Sequence, residues 1–124
     1  MGMFDFLKGE KPKSVDDPIE GYKLMDLYKE INVQRNSIIP EGTKVGSRLV
    51  LIYNPADKYT NESISLLLVP QRKIFGYIDD ERAFKHIVKS LKSNDKVEAR
   101  ISSFSKKKHE NAATINIAFF KKNK

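Results

Sequence analysis

The sequence predicts a small, mainly β (α+β) fold, in which five to six short strands form an antiparallel barrel or curled sheet with two helices packed on it. Three observations support this prediction. The 124-residue length suits one hydrophobic core. Beyond residue 31, most apolar segments are short and rich in β-branched and aromatic residues. These segments do not alternate regularly with helices, as a parallel sheet would require.

The first predicted element is a helix over about residues 18–30. Asp17 is placed as its N-cap, Pro18 as its first helical residue and Glu20 three residues after the cap, which is typical of a helix start. Residues 1–16 hold Pro and Gly among charges and predict a flexible lead-in, so the folded domain is expected to span residues 17–124. Apolar residues follow the cap at helical spacing: Leu24, Leu27, Tyr28 and Ile31.

The strands are predicted from runs that are continuously apolar or strictly alternating. Pro70 ends one of them, and the three-residue turn PQR joins it to the next. The last two strands alternate apolar and polar residues and form a hairpin around the loop SKKKHEN. The runs, in order, are INVQR, SRLVLIY, SISLLLV, KIFGYI, KVEARISSF and ATINIAFF.

A second helix is predicted in the segment DDERAFKHIVKSLKSND, with Asp79 or Asp80 as its cap. Its apolar arc must face a core. The opposite arc is either the solvated face of an amphipathic helix or a surface that contacts phosphates. That arc comprises Arg82, Lys85, His86, Lys89 and Lys92.

The charge of the chain favours an anionic partner. The formal net charge is +7, and residues 41–124 carry 17 basic and nine acidic side chains. A basic domain attracts polyanions, nucleic acid first and an anionic membrane surface second, although the same charge also serves plain solubility. The chain has no cysteine, which excludes disulfides and fits a cytoplasmic location. The first residues, MGMFDFLKGE, match neither a signal peptide nor a membrane span.

The usual catalytic patterns are absent from the sequence. There is no phosphate-binding glycine loop and no nucleophile elbow, and the two histidines, His86 and His109, fall in different predicted elements. Asp79, Asp80 and Glu81 could suggest a divalent metal, but negative charge is also favoured at a helix start. We therefore expect a non-catalytic protein without a metal or cofactor.

Aromatic and basic side chains predict how a single strand of nucleic acid would be held. Exposed rings stack on bases, and neighbouring cations contact phosphates. Tyr59, in a polar loop, is the ring most expected to be exposed. Phe75 and Tyr77 alternate onto one face of their strand, and the sequence leaves open whether that face is core. The loop lysines Lys106, Lys107 and Lys108 form either a phosphate clamp or a solvated turn.

The segment GSRLVLIYNPADKYTNESISLLL, followed by KIFGYIDDERAFKHIVKSLKSNDKVEARI, resembles the HIRAN domain family over about residues 43–103. That family shows an L-x-L strand, then an acidic residue and Pro, a loop of the form Asn-Pro-Tyr-Asp-x-Asn-Ala-Ile and a Gly-Tyr-Ile strand end before a helix. The chain has Asn54 in place of the acidic residue, and within the loop it departs from the pattern at Lys58, Thr60, Glu62 and Ser63. The matching residues are Leu49, Leu51, Pro55, Tyr59, Ile64, Gly76, Tyr77 and Ile78.

The resemblance implies a compact, partly open β-barrel related to the OB-fold that binds single-stranded DNA or DNA ends. The segment INVQR, which would correspond to the family's first strand, offers only Arg35 and no ring beside it, and the loop asparagine occurs one place early, at Asn61. With charge and ring placement, the resemblance predicts a nucleic-acid-binding set: Arg35, Tyr59, Asn61, Lys73, Tyr77, Lys106, Lys107 and Lys108.

Two alternatives of other classes remain open from the sequence. The first is a protein-interaction adaptor that uses the apolar stripe of the predicted N-terminal helix to bind a partner; a helix covering one end of the barrel would show the same stripe. The second is peripheral attachment to an anionic membrane through the same lysines. The sequence does not distinguish DNA from RNA and does not indicate strand polarity or oligomeric state.

Overall fold

In the computed structural model, which describes residues 14–107 and 110–123, six strands form a closed antiparallel barrel. The order around the barrel is β1-β4-β3-β2-β5-β6. The prediction of a small, mainly β barrel is confirmed. The elements are β1 (Tyr22–Arg35), β2 (Arg48–Asn54), β3 (Ser63–Leu68), β4 (Lys73–Ile78), α1 (Glu81–Lys92), β5 (Lys96–Phe104) and β6 (Ala112–Lys122).

Two expectations about the barrel are corrected. It is closed, not partly open, because β1 pairs with β4 on one side and with β6 on the other. The described residues also contain one helix, not two. The segment predicted as a helix over about residues 18–30 begins in turns and then forms most of β1.

β1 contains two bulges, and one of them places two of the helically spaced apolar residues on the same face. Its pairing with β6 shifts register between Leu24 and Asp26 and again between Tyr28 and Ile31. A bulge adds a residue, so side chains three apart can share a face of the strand. Tyr28 and Ile31 thus both pack on the main core. The polar helix-start residues form a turn instead, in which the Asp17 carboxylate accepts a hydrogen bond from the Ser14 amide.

The segment before β1 packs on the outer face of the barrel. Val15 is buried there beside Ala118 and Phe120, with Ile19 and Leu27 against them. β6 therefore contributes to two cores, one from each of its faces. Of the predicted lead-in over residues 1–16, residues 1–13 lie outside the described residues.

The main core fills the barrel and extends under α1. Ala83 and Ile87 of α1 are fully buried, and the Asp80 carboxylate caps the helix by accepting a hydrogen bond from the Ala83 amide at 2.8 Å. The predicted capping role of this acidic segment is confirmed. The strands supply most of the other core residues, among them Leu49, Ile64, Leu66, Phe75, Ile101, Ile115 and Ile117.

A further bulge, in the β3–β4 ladder, separates two aromatic residues that simple alternation would place together. In the β3–β4 ladder, Leu66 pairs with Gly76 and Leu67 with Ile74, so Phe75 is the extra residue. Phe75 consequently points into the core, whereas Tyr77 is 39% exposed on the outside. The sequence left open whether the face that carries Phe75 and Tyr77 is core. Because of the bulge, Phe75 is in the core and Tyr77 is not.

Candidate nucleic-acid interface

Tyr59 lies in the loop between β2 and β3, and 86% of its surface is exposed. The loop is held by Asp57, whose Oδ1 accepts hydrogen bonds from the Tyr59 amide, the Thr60 amide and the Thr60 hydroxyl at 2.8 to 2.9 Å. The Asp57 amide donates to the Thr60 carbonyl at 3.0 Å. These bonds fix the backbone around Tyr59, so an exposed ring is presented from an ordered turn.

The hydrogen bonds received by Asp57 have an electrostatic consequence. Donors from the amides of Tyr59 and Thr60 stabilise the ionised carboxylate and hold the pKa of Asp57 below its usual value. The turn is therefore built around a negative charge. Lys58 offsets that charge at the surface, with its Nζ 6.0 Å from the centroid of the Tyr59 ring.

The base of the loop is tied to the barrel by two further contacts. The Tyr53 hydroxyl donates to the Glu62 carboxylate at 2.8 Å, and this bond raises the pKa of Tyr53 above its ordinary value. The Asn54 amide nitrogen donates to the hydroxyls of Ser63 and Ser65. Asn61 is exposed between these anchors and the Asp57 turn.

Arg35 does not belong to an exposed interface and is a correction to the predicted set. Its side chain is 1% exposed at the end of β1. The guanidinium donates to the carbonyls of Asn36, Lys107 and Glu110, the Lys107 bond being 3.0 Å long. A guanidinium with five donors can gather several backbone carbonyls in this way. Arg35 therefore fastens the β5–β6 turn to β1, and phosphates cannot reach it without local opening.

The β5–β6 turn exposes the first two of the predicted lysines. Lys106 is exposed, and Lys107 is exposed with its Nζ 3.6 Å from Glu110 Oε1. Glu110 also accepts a hydrogen bond from the Ser105 hydroxyl at 2.7 Å. Lys108 lies outside the described residues. The acidic partner reduces the positive charge that this turn offers to phosphates.

The structure places the predicted residues in two groups. Arg35 pairs with Gly76 in the β1–β4 ladder, and Lys73 begins β4, so Lys73 and the β5–β6 turn lie toward the end of β1. Tyr77 pairs with Ser65 of β3, which places it nearer the end of β3 that follows the Tyr59 loop. Tyr59 and Asn61 precede Ser63, at the opposite end of β3 from the pair between Leu68 and Lys73. Lys73 therefore does not lie beside Tyr59, and the set does not form one compact patch.

A cleft of about 810 Å³ that the sequence did not predict separates α1 from the first half of β1 and the end of β6. Its walls combine rings with cations, which is the chemistry that nucleic-acid-binding grooves use. Because β1, α1 and β6 are far apart in the chain, the sequence does not indicate that they meet. The basic arc of α1 was the part of this cleft that the sequence analysis identified. The lining residues are Met25, Tyr28, Lys85, His86, Lys89, Ser90, Ser93, Asp95, Phe119, Phe120 and Lys121.

His86 forms part of the wall of this cleft and is held from three directions. Its ring stacks on Phe119 with centroids 3.8 Å apart and planes 7° from parallel. The Tyr28 hydroxyl lies 2.9 Å from Nδ1, and an Asp26 carboxylate oxygen lies 3.7 Å from the same atom. The Arg82 guanidinium lies over the Tyr28 ring, with Cζ 5.3 Å from the ring centroid. The aromatic wall of the cleft is thus pre-assembled.

Comparisons of the chain with protein-family models, with curated proteins and with solved structures found no match. The described part of the chain contains no helix that is long and apolar enough to cross a membrane. Within the same residues, no three or more acidic or histidine side chains converge as a metal site would require.

Proposed function

We propose that this protein is a non-catalytic module that binds single-stranded nucleic acid. The observation that carries the proposal is Tyr59, an almost fully exposed ring on a turn held by the Asp57 carboxylate. Because the backbone of this turn is already held in place, stacking of a base on the ring does not require the loop to be ordered first. Stacking of this kind contributes about 1–3 kcal/mol per base and requires bases that are not already paired.

The positive charge of the chain supports a nucleic acid as the ligand, with one of its bases stacked on Tyr59. The excess of cations over residues 41–124 supplies a sequence-independent attraction for phosphates. The resemblance of about residues 43–103 to the HIRAN domain family points to the same ligand class, including DNA ends. Lys58 beside Tyr59 and the exposed Tyr77 add a cation and a second ring on the barrel surface.

The described residues do not form the N-terminal helix on which the adaptor alternative was based. The residues of its apolar stripe are in β1. Tyr28 and Ile31 pack on the main core, and Leu27 packs on the outer cluster. Leu24 is the member of the stripe that remains exposed.

The proposal is tested by fluorescence-anisotropy titration of labelled single-stranded and duplex oligonucleotides of the same sequence. Wild-type protein is expected to prefer the single strand. Tyr59→Ala should weaken single-strand binding about 5- to 160-fold, the equivalent of one stacked base, and should change duplex binding little. Tyr59→Phe is the matched control, because it keeps the ring and should keep the affinity.

Blocking the 3′ or the 5′ end of the oligonucleotide then separates end recognition from binding along the strand. A module that reads ends loses affinity for one blocked form, whereas a module that binds along the strand does not. Equal and weak binding to the single strand and the duplex, unchanged in Tyr59→Ala, would contradict the proposal.

A further inference from the structure

We infer that the cleft between α1, β1 and β6 is a second contact site, which holds phosphates of the same single strand whose bases reach Tyr59. This inference rests on the proposed function and extends it to a surface on the other flank of α1. The cleft is defined by walls from three elements and has room for several nucleotide groups at about 810 Å³.

The cations of the cleft favour an anion over a neutral ligand. Lys85 and Lys89 enter from α1, and Lys121 enters from β6. Lys85 Nζ is 3.1 Å from Glu81 Oε1, and Lys89 and Lys121 have no carboxylate within salt-bridge distance among the described residues. Asp95 is the acidic residue of the lining. Lys89 and Lys121 are therefore the cations that are most available to a phosphate.

The opposite wall suits a nucleic acid better than a simple anion. Met25 is exposed on β1, and the Tyr28 and His86 rings are partly exposed, while the Phe119 ring that contacts both of them is buried. Apolar and aromatic surface beside lysines can pack against sugars or bases while the lysines contact the phosphates. Sulfate or phosphate ions alone would leave this wall unused.

α1 connects the cleft with the Tyr59 loop. Lys85 and Lys89 line the cleft on one flank, and Lys92 follows three residues later with its Nζ 6.0 Å from the Tyr53 ring. The Tyr53 hydroxyl in turn contacts Glu62, at the end of the loop that carries Tyr59. The basic arc of α1 thus leads from the cleft to the loop, and one strand can follow it across the helix.

The test compares two charge-matched double variants in the same single-strand titration over a salt series. Lys89→Gln with Lys121→Gln removes two cleft cations. Lys44→Gln with Arg72→Gln removes two exposed cations from the β1–β2 loop and the β3–β4 turn. The cleft variant should lose about tenfold in affinity at low salt, and the slope of log affinity against log salt should become shallower by about 1 to 1.5. The control variant should change both quantities by less than half as much.

The outcomes separate the cleft from the proposed function. If wild-type protein binds the single strand and both double variants lose the same amount, the cations act through net charge alone and the cleft inference is wrong. If wild-type protein does not bind the single strand at any salt concentration, the proposed function itself is wrong. Thermal unfolding of each variant confirms that a loss of binding is not a loss of fold.

Discussion

At the scale of single residues, Gly76 shows why the Gly-Tyr-Ile segment needs its glycine. A Cβ at this position would lie 2.4 Å from the Gln34 carbonyl oxygen and 3.1 Å from the Arg35 Cα. Both atoms belong to the backbone of β1, so a side chain at Gly76 would push two paired strands apart. The glycine thus permits the close approach of β1 and β4 that closes the barrel.

We predict that Gly76→Ala lowers the free energy of unfolding by about 1–3 kcal/mol, the usual cost of overpacking. Urea denaturation monitored by circular dichroism measures this change. Gln34→Ala is the control, because it shortens an exposed side chain and leaves the critical carbonyl in place; it should stay within about 0.5 kcal/mol of wild type. A Gly76→Ala protein as stable as wild type would refute the steric explanation.

Asp57 gives the Tyr59 loop a defined pH dependence. Its folded-state pKa lies below the unfolded value, because the carboxylate accepts hydrogen bonds from Tyr59 and Thr60. The stabilisation of the turn is therefore fully present above the ordinary, unfolded pKa of 3.8 and is lost as the pH falls through the lower, folded-state pKa. The turn that carries Tyr59 should thus remain ordered at neutral pH and loosen in strong acid.

This pH dependence is measured by following the Asp57 carboxyl carbon by NMR. We expect a midpoint below the ordinary value of 3.8. The amide signals of Tyr59 and Thr60 should move over the same pH range. Asp57→Asn keeps an acceptor oxygen and should abolish the acid transition while leaving the turn formed, whereas Asp57→Ala should loosen it at every pH. A midpoint at or above 3.8 would contradict the hydrogen-bond pattern described here.

Residue-scale prediction from the sequence succeeded where the local environment decides the outcome. Tyr59 was expected to be exposed because its neighbours are polar, and it is exposed. Arg35 was placed in the interface because its segment, INVQR, corresponds to the first strand of the family that the chain resembles. The burial of Arg35 depends on the backbone carbonyls of Lys107 and Glu110, which are more than 70 residues away in the chain. No local sequence pattern predicts these contacts.

At the scale of elements, β1 is the main difference between the sequence prediction and the structure. A bulge places Tyr28 and Ile31 on one face despite their helical spacing, whereas Leu27 packs on the outer face and Leu24 is exposed. Long-range pairing with β6 over most of the strand outweighs the local preference. The other predicted strands and α1 are confirmed, because their patterns are strictly alternating, continuously apolar or clearly amphipathic.

Glu30 tests the bulged form of β1. Its φ is +53°, in the left-handed region that disfavours side chains with a Cβ. We predict that Glu30→Gly is as stable as wild type or up to about 1 kcal/mol more stable, since relief of strain offsets the greater freedom of glycine in the unfolded chain. Glu30→Val should be less stable than wild type by about 1 kcal/mol or more, because β-branched residues tolerate this conformation poorly.

Thermal and urea unfolding of the two Glu30 variants provides the comparison. Glu30 contacts Asn116 through its backbone amide, so both substitutions keep that hydrogen bond. The difference between the variants therefore reports the backbone conformation. If the segment were helical, glycine would destabilise it relative to valine, which is the reverse of the expected order.

At the scale of the whole molecule, closure of the barrel and the position of the cleft are the features that the sequence could not supply. Closure requires β1 to pair with both β4 and β6. These strands are far from β1 in the chain, and no local sequence pattern encodes the register of such a pairing. The residues that line the cleft range from Met25 to Lys121, so they come from almost the full length of the described chain. The excess of positive charge, in contrast, is visible directly in the composition.

The central claim is that one single strand contacts the Tyr59 loop and the α1 cleft together. The most direct measurement is a titration of ¹⁵N-labelled protein with a short single-stranded oligonucleotide, followed by amide chemical shifts. We predict saturable shifts at Tyr59 and Thr60 and, with the same affinity, at Lys89 and Lys121. Shifts confined to the β5–β6 turn around Lys106 and Lys107, or no saturable shift at all, would contradict the claim.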